Sequence, residues 1–187
     1  MPLVLPPLPE AAERLCRRLD APPRLKVHLQ LVHACALKIL EWLEEHFPGT
    51  DIDAIAVLFG AATHDLGKTL YPDELWQGGS RHQDDGPALL ESLGVEPSLA
   101  RFARTHSQWD ESMPLEDLVI ALSDKAWKGR RIERLEIEIA TRLAKDNSIE
   151  LWDAVHQLDM FLEEIGSGAD ERLALQRSSW NWGGSKS

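Results

Sequence analysis

Apolar residues recur along most of this chain at spacings of three and four, the period of a helix buried on one face. The clearest stripe is Leu25, Leu29, Val32, Ala36, Ile39 and Leu43. It predicts a long helix over about 24–46, stopped by Pro48 and Gly49. Upstream, PPLPE reads as extended and leads into a short helix over about 9–20, which Pro22 and Pro23 interrupt. Downstream, Thr50 followed by Asp53 is read as the N-cap of a helix over about 51–66. Pro72, Gly78 and Gly79 mark 71–80 as mostly loop. Further helices are expected over about 84–93, with Gly94 as C-cap, and over about 97–109, 114–128 and 131–146. Ser148 is expected to cap a helix that runs to Glu164 and ends at Gly166. A weaker helix covers about 169–177, and the final SSWNWGGSKS reads as disordered or loosely packed. With no internal repeat and no β-rich segment, the expected class is all-α.

Composition narrows the function classes. A length of 187 residues suits one domain with a core of its own. The 43 % hydrophobic and 27 % charged content is that of an ordinary globular chain. No run approaches the ~20 apolar residues of a membrane span, and MPLVLPPLPE lacks the basic stretch of a signal peptide. Cys16 and Cys35 fit no metal or redox spacing and read as buried helix residues of a reducing compartment. The expected location is cytoplasmic, with no membrane partner. A net charge of −11 argues against a nucleic-acid groove. It leaves room for a small phosphorylated substrate, because a bound divalent ion inverts the local field.

The chemistry starts at His64-Asp65 in AATHDLGK. Adjacent helical side chains diverge by about 100°, yet both can reach a metal beside that face, and a carboxylate can bridge two ions. Lys68 lies one turn further along; it would repel cations unless an anionic substrate sat between them. His28, three after Leu25 and four before Val32, points to the buried side of its helix. By itself it would be a satisfied core histidine. His33 is rotated about 140° away, and it and His46 read as ordinary helix residues. His106 completes a stripe with Leu99, Phe102 and Ala103. Asp124 shares a face with Ile120 and Ala121, so it needs a buried charge partner: a metal, or more simply Lys125 or Lys128. His82 follows the glycine loop and joins Gly86 and Leu89 if its helix begins early. Imidazole and carboxylate ligands suit several divalent metals. Trp76, Trp109 and Trp127 could stack a nucleobase, though packing is the favoured reading. Arg81, Arg104, Lys125, Lys128, Arg130 and Arg131 are candidate phosphate contacts, with the run KGRR foremost.

The order His28 in HLQLVHACA, then THDLGK, HQDDGPALLESLGV, RTHSQWD and ALSDKAWKGR resembles the HD superfamily of metal-dependent phosphohydrolases over about residues 24–131. The resemblance implies a single helical HD-type metal-binding domain over 24–166. Residues 1–23 are then an N-terminal extension with a short helix, and 167–187 a C-terminal helix with a flexible tail. It implies one metal on His28, His64 and Asp124, a second on His82 and His106, and Asp65 as the bridge. The metals would be one or two of Mn, Fe, Co, Ni, Mg or Zn. Lys68 matches the lysine of the HDxGK form and would bind substrate phosphate, with Asp65 and Lys68 as the catalytic pair and Arg81, Lys125, Lys128 and Arg130 as further substrate contacts. Ser107 in place of a second histidine, and the lack of a Gly-Tyr-Pro triplet, disfavour a cyclic-di-GMP phosphodiesterase. Lys68 also replaces the glutamate that some HD nucleotidases place three residues after the aspartate. The expected function is hydrolysis of a phosphate mono- or diester, with a nucleotide among the substrates considered. The alternatives are a di-iron oxygenase with the same ligands, or a non-catalytic HD domain that binds a nucleotide or partner through Trp180 and Trp182. A homo-oligomer is compatible with all three.

Overall fold

The structure is a computed structural model and describes residues 3–179. Its helices are α1 (Glu10–Arg18), α2 (Pro23–His46), α3 (Ala54–Thr63), α4 (Glu74–Gln77), α5 (Arg81–Ser92), α6 (Pro97–Ala100), α7 (Phe102–Thr105), α8 (Leu115–Ala126), α9 (Glu133–Asn147), α10 (Leu151–Ser167) and α11 (Ala169–Ser178). A 3-10 turn, Leu66–Thr69, follows α3. Among the described residues there is no strand, and the class is all-α. No helix among them is long and apolar enough to cross a membrane. Trp180 and Trp182 lie outside the described residues.

The apolar stripes divide between two cores. Leu31, Val32, Ala36, Ile39 and Leu43 of α2 pack in the larger one, which also takes Val57, Ile120, Leu143 and Leu158 from α3, α8, α9 and α10. Leu25 and Leu29, one turn earlier on α2, join Leu15 and Cys16 of α1 and Leu66 and Leu90 in the smaller one. Each fully buried leucine stabilises the fold by about 1.5–3 kcal/mol. Among the described residues three helices serve both cores: α2, α3 through Ala61 and Ala62, and α7 through Phe102 and Ala103. These are the elements that carry or abut His28, His64 and His106. Cys16 and Cys35 are buried and unbridged, as expected. Burial pushes their thiols up, to about 11 and about 12.

Several element ends differ from the sequence expectation, each for a local reason. Asp53, not Thr50, caps α3, its carboxylate accepting from the Ala56 N–H at 2.9 Å. Thr50 instead takes a hydrogen bond from the Asn147 amide at 2.9 Å, which braces the α2–α3 loop against α9. Ser148 does not cap α10; it ends α9 in the left-handed region at φ 53°. Gly166 stays inside α10, and Gly168 takes the terminal position. The stretch expected as one helix over 97–109 is interrupted at Arg101 and stops at Thr105. Within the loop expected over 71–80, Glu74–Gln77 forms a helical turn.

Candidate metal centre

The largest departure lies at the chemistry. α3 stops at Thr63 rather than continuing to 66, and Asp65 leaves helical geometry at φ −103°, ψ 6°. That break lets His64 and Asp65 turn to one point instead of diverging around a helix. The 3-10 turn then lies directly on the start of α5. A Cβ at Gly67 would collide with the His82 carbonyl and reach 3.1 Å from the Gly86 Cα, so this approach needs glycine.

α5 begins at Arg81, three residues earlier than expected. Its first N–H groups have no intrahelical acceptor, and the carboxylate of Glu74 supplies one from outside the helix. Oε1 accepts from the Arg81 N–H at 3.1 Å and Oε2 from the His82 N–H at 3.3 Å. His82 is thereby held in the first turn, buried and facing Asp65.

All six sequence-predicted metal candidates come together, and all are buried. The two oxygens of Asp65 face different imidazoles. Oδ2 lies 3.0 Å from His28 Nε2 and 3.7 Å from His64 Nε2. Oδ1 lies 3.1 Å from His82 Nε2 and 3.5 Å from His106 Nε2. Asp124 Oδ1 approaches His28 Nε2 at 3.6 Å. Two triads have mutually close ligand atoms: His28, His64 and Asp124, and His64, Asp65 and His106. His82 falls outside the second triad and reaches the cluster through Asp65.

The donor set fits divalent ions. His64 Nδ1 donates to the Ala61 carbonyl at 3.0 Å, His106 Nδ1 to the Phe102 carbonyl at 3.2 Å, and His82 Nδ1 to Glu74 Oε2 at 2.5 Å. Those oxygens accept only, so each proton resides on Nδ1 and each Nε2 turns a lone pair inward. His28 and His64 bring their Nε2 atoms within 3.3 Å. Asp65 Oδ1 and His82 Nε2 are buried, and neither makes an aligned hydrogen bond. Lone pairs converging without protons between them are what a cation satisfies.

The electrostatics agree at His64 and His106, whereas at His82 burial is outweighed by Asp65 and Glu74 and the ring is raised. Burial holds His64 down to about 3 and also lowers His106, so both rings stay neutral, as ligation requires. Burial alone would raise Asp65 and Asp124. Lys68 outweighs it at Asp65, and His28 and Lys128 outweigh it at Asp124, holding both well below the ordinary carboxylate range.

Three of the expected substrate contacts border the aspartates. Lys68 pairs with Asp65 Oδ2, Lys125 with Asp124 Oδ2 at 2.6 Å, and Lys128 with Asp124 Oδ1 at 3.3 Å. The simpler partner considered for Asp124 is therefore present as well. The arginines go elsewhere. Arg81 pairs with Asp73 and Glu74, and Arg104 donates to the Asp84 carbonyl. Arg131 bridges Glu136 and Asp159, and Arg130 is exposed, its backbone N–H on the Lys125 carbonyl. Trp127 is buried edge-on to His28 at 5.5 Å, and Trp109 packs on the larger core, so both serve packing. Trp76 is 49 % exposed under the Arg24 guanidinium. Periodicity held no sign of Glu74, a lone acidic residue in a proline- and glycine-bounded segment.

Distant segments of this helical protein thus bring four histidines and two aspartates to one buried cluster that could hold metal. The profile of the HD domain family matches residues 12–126, more than half of the chain, and the chain belongs to that family. HD domains bind divalent metals, and the family consists largely of hydrolases with some non-catalytic members. No curated protein and no solved structure matches the chain.

Proposed function

We propose that this HD protein is a metal-dependent phosphohydrolase acting on a phosphate mono- or diester, with nucleotides among its candidate substrates. His28, His64 and Asp124 would hold one divalent ion and His82 and His106 another, with Asp65 shared between them. In this reading residues 24–166 form the metal-binding unit, and 1–23 and 167–187 flank it. Bound divalent ions supply Lewis acidity and an activated water beside a phosphoryl group. The observation that carries the proposal is the division of the Asp65 oxygens between two histidine pairs, with the outer ring nitrogens of His64, His82 and His106 already committed to acceptors.

The protein's own groups account for the rest. The six candidate ligands are buried, which strengthens each charge interaction among them. Lys68, Lys125 and Lys128 place three cations against two carboxylates. Were the carboxylates to hold metal, these ammonium groups would be free to meet a phosphate, and Lys68, on the turn that also carries Asp65, would orient it.

Metal analysis of the purified protein, paired with a phosphoester panel under several divalent ions, tests the proposal. Asp65→Ala should lose bound metal and turnover together, and a variant keeping both overturns the assignment. Iron in the purified protein with oxygen-dependent turnover would replace hydrolysis with oxygenation. A metal-loaded protein inert across the panel would favour a non-catalytic HD domain.

A further inference from the structure

Glu74 has no part in the ligand set, yet its side chain is only 2 % exposed. A buried carboxylate costs several kcal/mol, roughly, unless it is paired and hydrogen-bonded, and this one is fully engaged. Oε1 takes the Arg81 backbone N–H at 3.1 Å and the Arg81 Nε–H at 2.9 Å; Oε2 takes the His82 N–H at 3.3 Å and the His82 Nδ1–H at 2.5 Å. Arg81 supplies the counter-charge and is itself fixed by Asp73 and by the Tyr71 ring, 4.4 Å from its guanidinium carbon. The space is fitted as well: a Cβ at Gly79 would lie 2.6 Å from the Glu74 Cδ.

We infer that Glu74 is a positioning residue for the metal centre, holding His82 with its proton on Nδ1 so that Nε2 is offered to the ion shared with His106 and Asp65. His64 and His106 lean on neutral main-chain carbonyls, whereas His82 leans on an ionised carboxylate. A charged acceptor makes the opposite ring nitrogen a stronger donor to metal. The Asp73–Arg81–Glu74–His82 chain thus ties the affinity of one ion to the 71–80 segment. This inference rests on the two-ion reading proposed above.

Cobalt(II) titration of the full chain, followed by calorimetry and by the visible absorption of the bound ion, tests it. Wild type should take up two ions. His82→Ala should lose one of them and serves as the reference. Glu74→Gln, which keeps an acceptor oxygen but no charge, and Glu74→Ala should each weaken that same ion by about 10–100-fold and change its absorption band, with the other ion unmoved. Gly79→Ala should do likewise without altering any charge, which keeps the test open should a Glu74 variant fail to fold. If the Glu74 and Gly79 variants titrate like wild type while His82→Ala loses an ion, the role of Glu74 is overturned and the two-ion reading stands. If both ions weaken equally, Glu74 is merely structural and the inference fails. If His82→Ala itself titrates like wild type, the two-ion reading falls and takes the inference with it.

Discussion

Gly60→Ala sets two opposing effects against each other at the centre of the fold. Gly60 lies inside α3, where alanine is favoured over glycine by about 1 kcal/mol. The added methyl, however, would collide with Ile120 Cδ1 and lie 2.6 Å from Phe102 Cδ2. Both neighbours are fully buried, on α8 and α7, so neither can swing into solvent. Overpacking a closed core costs about 1–3 kcal/mol, and more where backbone must shift. Here two helices must part, and overpacking wins. A net loss of about 1–2 kcal/mol lowers the melting temperature by about 2–8 °C in a chain of this size. The loss should reach the metal centre. The His64 N–H bonds to the Gly60 carbonyl at 2.8 Å, α8 carries Asp124, and His106 directly follows α7. Gly166→Ala in α10 is the matched control, because its Cβ would meet nothing within 4 Å. It should gain about 0.4–1 kcal/mol and melt about 1–4 °C higher. Thermal melts of chelator-treated protein, monitored by circular dichroism, measure both. A Gly60→Ala protein that melts at or above wild type would refute the packing account of this interface.

Three further outcomes follow from the same structure. In metal-free protein, stability should fall on acidification below about pH 6.5: burial holds the folded His64 at about 3, so between those values the unfolded chain binds more protons, and His64 alone costs about 1.4 kcal/mol per pH unit. His106 and His33, also lowered by burial, act in the same direction. At His82 burial is outweighed by Asp65 and Glu74, so its raised value adds stability below the unfolded value that is lost as pH rises through the folded one. Urea titrations at pH 7 and 5.5 check the balance, and an unchanged or higher midpoint at pH 5.5 counts against it. Lys68→Ala should raise KM for a phosphoester about 10–100-fold, the worth of a charge-assisted contact, with metal content maintained; steady-state kinetics with metal analysis decides, and loss of metal would reassign the lysine. Asp53→Ala should cost about 1 kcal/mol by removing the α3 cap while Asp53→Asn costs little, as read from urea midpoints at constant slope; equal losses would mean that charge, not capping, matters there.

Most helices were legible in the chain because their stability comes from one-sided apolar stripes, and a stripe is a property of spacing alone. The same spacing placed His28, His106 and Asp124 on inward faces. Order and motif then joined them to His64, Asp65 and His82 in a single candidate set. Spacing is silent about groups whose partners lie elsewhere in the chain. Spacing pointed to Thr50 as the cap of α3, but its hydroxyl meets Asn147, 97 residues away, and Asp53 caps the helix instead. The early start of α5 depends on N–H groups satisfied by Glu74, seven residues upstream and outside the helix. The break after Thr63, which turns Asp65 toward both histidine pairs, accompanies the packing of the 3-10 turn on α5. Arg81 and Lys128 are equally basic by sequence, but folding commits one to Glu74 and the other to Asp124. Local periodicity fixes which face of each helix is buried; how those faces meet, and which polar groups they satisfy, is settled only when distant segments share one interior.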